Sequence, residues 1–202
     1  MKRFVALACL VLIGCGPALA APGAAGFSAD AAQALASLMK LSDGVGTFQG
    51  WDALPRTPSI RWAALPPGDD ESAPMGSIYF REGSTSFGGA PVRVTARGAR
   101  TMVVLVQMVS AAGPPGPPEP IAEAMKARGI AARPILCRKN QSPQLWETRY
   151  ELPRGAGKTP AVLHQAHACA ADGCREALIL YLDSDIHPLP MDRQAQFTSQ
   201  CR

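Results

Sequence analysis

Apolar side chains recur at helical spacing in only a few stretches of this chain. In the first, Leu35, Leu38 and Met39 share one face of an alanine-rich segment that Ser28 can cap, predicting a helix to about Leu41, stopped by Gly44. Beyond Gly50 the period falls to two. Ile60, Trp62 and Ala64 alternate with other residues, as do Ile78 and Phe80. Val92, Val94 and Ala96 alternate with Arg93, Thr95 and Arg97, which gives a strand with one apolar and one cationic face. Gly83-Ser84 and Gly88-Gly89 mark turns. Met102 to Met108 is almost uniformly apolar, the mark of a strand buried on both faces.

The Pro-rich run from Gly113 to Pro118 leads into the second helical stretch, in which Ile121, Ala124 and Met125 face inward and Gly129 ends the helix. A strand follows at Ile135-Leu136-Cys137. In the next, Trp146, Thr148, Tyr150 and Leu152 alternate with Glu147, Arg149 and Glu151. Thr159-Pro160 is a good helix start, so Ala161 to Cys169 reads as a helix ended by Asp172-Gly173, the competing reading being a strand in a hairpin. Ala177 to Leu182 reads as a buried strand.

In order, residues 100–183 give β-α-β-β-α-β. The expected fold class is therefore α+β, a ferredoxin-like antiparallel sheet with two helices on one face. An N-terminal helix and a small β-meander precede it. The organisation expected is a leader over 1–20, a helix and Gly-rich loop over 21–57, and one disulfide-stapled domain over 58–202.

Composition changes this picture mainly at the N-terminus. Lys2 and Arg3 precede an apolar run from Phe4 to Ile13, and Ala18-Leu19-Ala20 supplies a small-x-small cleavage pattern. The run is about half the ~20 residues that a spanning helix needs, so it reads as a secretory signal peptide. Leu12-Ile13-Gly14-Cys15 also resembles the bacterial lipobox, which implies lipidation of Cys15 as an alternative to cleavage after Ala20. The expected address is the periplasm, or the outer membrane as a lipoprotein facing it, with membrane contact only through that anchor.

Loss of Lys2 and Arg3 leaves 18 basic against 16 acidic residues, so the formal charge of +4 becomes +2 and no nucleic-acid surface is expected. Of six cysteines, Cys137, Cys169, Cys174 and Cys201 belong to the folded part. An even number in an oxidising compartment points to two disulfides with three possible connectivities, of which Cys169–Cys174 and Cys137–Cys201 are favoured.

Candidate chemistry is sparse, and no cofactor is expected. Gly155-Ala156-Gly157-Lys158-Thr159 lacks the first glycine of a phosphate-binding loop, since Leu152 stands there and Pro153 removes a backbone donor. His164 and His167 would share one face of the expected helix near Cys169 and Cys174, a possible metal cage. Asp183, Asp185 and His187 alternate, but extended chain separates the first from the last by about 13 Å. Glu147 and Glu151 stand about 13 Å apart on one strand face, too far for a glycosidase pair. Arg93, Arg97 and Arg100, with Phe87 in the neighbouring Gly-rich turn, form a candidate partner-binding strip.

These features lead to an expectation of a non-enzymatic envelope protein that binds a protein or envelope component, such as an inhibitor, immunity or assembly accessory protein. The opposing expectation is a small hydrolase or metal-binding protein using the His and Asp residues near the C-terminus. Oligomeric state is open.

Overall fold

The computed structural model describes residues 26–42, 51–64, 79–99, 102–113, 121–141, 144–154 and 160–182. Helix α1 (Phe27–Ser42) and a 3₁₀ turn (Trp51–Arg56) precede strands β1 (Arg61–Trp62), β2 (Tyr79–Phe87), β3 (Ala90–Ala99) and β4 (Met102–Ser110). Helix α2 (Ile121–Lys126) precedes β5 (Arg133–Gln141), β6 (Gln144–Leu152), β7 (Ala161–Ala170) and β8 (Gly173–Tyr181). All eight strands form one antiparallel sheet in the order β1-β2-β3-β4-β8-β7-β6-β5. Two meanders, each preceded by a helix, thus lie side by side and join where β4 pairs with β8.

This architecture overturns the ferredoxin-like expectation. Residues 161–170 are a strand, so the β-α-β-β-α-β order and the four-stranded sheet are both incorrect. Alanine has the highest helix propensity, but propensity is a weak determinant, and here pairing on both sides decides the outcome: β7 lies between β6 and β8 along its length. The chain reverses at Ala171-Asp172, and Gly173 adopts φ 119°, a backbone conformation that L side chains rarely adopt. A Cβ on Gly173 would also stand 2.5 Å from the Gly113 carbonyl oxygen.

The register sorts side chains to two faces. On the inner face, Val92, Val94 and Ala96 of β3 align with Met108 and Val106 of β4, Leu178 and Leu180 of β8, and Leu163 of β7, all buried. Both helices pack there. The buried alanines Ala31, Ala32 and Ala34 let α1 approach closely, while Leu35, Leu38 and Met39 fill the core with Ile121 and Met125 of α2. Polar contacts fix the helices: the Asp30 carboxylate accepts from Gly88 N–H (2.9 Å), and Gln33 Oε1 accepts from Arg128 Nε (3.1 Å). From β7, buried Gln165 reaches the first turn of α2, its Oε1 accepting from Ile121 N–H at 3.4 Å.

The outer face carries no helix among the described residues. The sheet ends at β1 on one side and at β5 on the other, where register shifts between Pro134 and Leu136. No described helix is long and apolar enough to cross a membrane.

Candidate functional site

Two constellations stand out, one on each face. The outer-face site is built from the polar positions of β2, β3 and β4. Pairing sets Phe80 beside Arg97, Glu82 beside Thr95, and Gln107 beside Thr95 on its other flank. With Arg93 and Val109 these side chains line an open concavity of about 550 Å³. Phe80 is 58% exposed, the largest exposure of any big apolar side chain described. Arg93 and Arg97 are exposed and form no ion pair with a described residue. Of the strip read from the sequence, Arg93 and Arg97 line this concavity. Phe87 is excluded from it: the ring is fully buried, edge-on to Phe27 with centroids 5.4 Å apart. Arg100 lies outside the described residues.

Farther along the same face, Glu147, Arg149 and His164 meet across β6 and β7. Glu147 Oε1 stands 2.8 Å from His164 Nε2 and 2.9 Å from Arg149 Nη2. Hydrogen bonding from His164 and the charges of both partners outweigh burial and hold the Glu147 carboxyl down at about 2. Nearby Tyr181 has its phenol pushed up by burial. Glu151 is separately paired, with Arg133 at 2.6 Å. An anchored carboxylate of this kind is a structural charge, not a proton donor near neutral pH.

The inner-face site lies at the hairpin end of β7 and β8. His167 of β7 is aligned with Trp146 of β6 and Glu176 of β8. Its Nδ1 lies 2.5 Å from Glu176 Oε1, and its Nε2 lies 3.2 Å from Cys169 Sγ. Cys169 is disulfide-bonded to Cys174 directly across the β7–β8 hairpin. One expected disulfide is therefore present. Cys137 is disulfide-bonded as well, its Sγ also 3.4 Å from Thr148 Oγ1; Cys201, its expected partner, lies outside the described residues.

The metal cage expected from His164 and His167 is not assembled. In a strand, residues three apart point to opposite faces, so His164 sits with Glu147 outside and His167 with Glu176 inside. His167, Cys169 and Cys174 do come together, with ligand atoms within 4.8 Å of one another. Both sulfurs are held in the disulfide, however, and a disulfide sulfur is not the thiolate that a metal binds. Asp183, Asp185, His187 and Cys15 lie outside the described residues.

Sequence reasoning missed the His167–Glu176 pair because it depends on the β7–β8 register. The available signal was the hairpin reading itself: a turn at Ala171-Asp172 puts 167, 169, 174 and 176 on one face. No protein-family model, curated protein or solved structure matches this chain.

Proposed function

We propose that this chain is an exported, non-enzymatic envelope protein that binds an acidic segment of a partner protein on the outer face of its sheet. The observation that carries this reading is the concavity walled by Arg93 and Arg97 with Phe80 exposed at its side. Two exposed guanidiniums on one strand, four residues apart and without an ion pair to a described residue, present forked donors that match carboxylates. The exposed ring adds apolar contact area at low entropic cost. Glu82 in the same wall disfavours a uniformly acidic ligand and supports one with spaced carboxylates.

The test is binding of a labelled peptide with alternating Glu and Ser, followed by fluorescence anisotropy at two salt concentrations, and recovery of cross-linked partners from native envelopes. Wild-type protein is expected to bind more weakly at high salt. Replacement of Arg93 and Arg97 by Glu should weaken binding at least tenfold, while changing stability by less than about 0.5 kcal/mol because both side chains are exposed. Equal binding by wild type and the reversed variant, or recovery of the same partners by both, would remove the basis of the reading.

A further inference from the structure

A disulfide that serves only to staple a hairpin has no use for a buried imidazole and carboxylate at its side. Burying His167 and partly burying Glu176 is costly, and replacing a buried ion pair by apolar residues is often stabilising. Yet His167 is among the buried residues of the inner face, and its second nitrogen faces the sulfur of Cys169. We propose that Cys169 and Cys174 form a redox-active pair that exchanges its disulfide with a dithiol of another protein, with Cys169 as the reacting cysteine and His167 and Glu176 as its positioning residues.

The geometry assigns different parts to the two sulfurs. Cys174 is buried, and its backbone is clamped in both directions to Gly113, with hydrogen bonds of 2.8 and 3.0 Å. Cys169 is more exposed, and the β6–β7 register ends one residue before it, at Leu145 and Ala168. An incoming thiolate therefore reaches Cys169 first.

In the first step that thiolate attacks Cys169 Sγ. The Cys169–Cys174 bond breaks, a mixed disulfide forms at Cys169, and Cys174 leaves as a thiolate that takes up a proton. In the second step the partner's other thiolate attacks the partner sulfur of the mixed disulfide, and Cys169 departs as a thiolate. The partner dithiol loses two electrons and two protons, and the cysteine pair gains them.

His167 acts in the second step. With Nδ1–H donated to Glu176, protonation at Nε2 gives an imidazolium hydrogen-bonded to the departing sulfur, and a stabilised thiolate is the better leaving group. The other charged groups nearby are Lys139, whose Nζ lies 4.7 Å from the Trp146 ring, and the Asp172–Arg175 pair at the hairpin turn. Among the described residues, the charged group in direct contact with the imidazole is Glu176. The site is on the opposite face from the arginine-lined concavity and does not depend on the binding reading above.

The test uses the full chain. Oxidised protein is equilibrated in glutathione buffers of graded ratio, alkylated and read by mass spectrometry, with the bond at Cys137 as internal reference. The Cys169–Cys174 bond is expected to open at a lower proportion of reduced glutathione than the Cys137 bond, with the sheet's circular dichroism intact. His167→Gln and Glu176→Gln should each raise the reduced glutathione needed, about tenfold for His167→Gln, since loss of an imidazolium partner returns a thiol toward its ordinary pKa. In Cys174→Ser, iodoacetamide should alkylate Cys169 at pH 6 about tenfold faster than in the same variant carrying His167→Gln. The proposal is overturned if the bond opens only as the sheet unfolds, or if His167→Gln changes neither midpoint nor alkylation rate. Should Cys174→Ser fail to fold, the wild-type midpoint relative to Cys137 decides alone.

Discussion

The first four strands have a sixteen-residue helix on their inner face, whereas the last four follow a helix of six residues. The consequences run through every side chain beneath. Under α1 the inner positions of β3 and β4 include Val92, Val94, Ala96, Val106 and Met108, all apolar and buried. Beyond Gln165, which meets the start of α2, the inner positions of β7 and β8 become His167, Cys169, Cys174 and Glu176. In this part of the sheet the chain places hydrogen-bonded polar groups and a covalent link on the inner face. All three described cysteines are in this half, and each is in a disulfide. Helical cover and cross-linking thus solve the same problem in the two halves of one sheet.

That contrast can be broken from either side. The largest effect is expected from Leu35→Ala in α1, which leaves a cavity at a fully buried position and should cost about 2–5 kcal/mol in urea unfolding. An equal cost from emptying exposed positions of the second half would erase the distinction.

Next is acid. Glu147 is held at about 2 against an ordinary 4.5, so its contribution is fully present above 4.5 and disappears as pH falls from there through about 2. Each pKa unit is worth about 1.4 kcal/mol, which puts the full loss at about 3–4 kcal/mol. Urea midpoints at pH 5 and pH 2 should therefore differ more in wild type than in Glu147→Gln. Indistinguishable pH responses would show that the Glu147–His164–Arg149 cluster does not hold the second half together.

The smallest of these effects is expected from Cys169→Ala with Cys174→Ala. Closing so short a loop contributes about 2 kcal/mol by its effect on the unfolded chain. Thermal unfolding of the double variant measures it.

The same contrast explains what the sequence disclosed. In β3 every inner residue is apolar and the outer positions include Arg93 and Arg97, so period two and the orientation of both faces could be read directly. Helix α1 was equally plain, because its apolar face meets a long apolar partner. In β7 the alternation is hidden. Gln165 is polar because it meets the start of α2, and His167 because it meets Glu176, while Ala166 and Ala168 occupy the outer positions. Each residue that spoils the strand period does so for a partner that only the register supplies. Arg93 and Arg97 were legible for the opposite reason, as they share a single strand; Phe87 was misassigned because it ends β2 opposite Ala90, on the inner face beside Phe27, and is not part of the turn.

The seam between the halves has a consequence for how the chain acquires its structure. Every other strand pairing joins neighbours along the chain, but residues 105–109 of β4 must wait for residues 177–181 of β8. Local hairpins form early, whereas a contact of long sequence separation pays a larger loop-closure cost and forms late. The two meanders can therefore take shape independently, and the final strand closes the sheet at its centre. A ribosome that has not yet released β8 holds two unjoined half-sheets, so the eight-stranded molecule exists only after synthesis has passed its last strand.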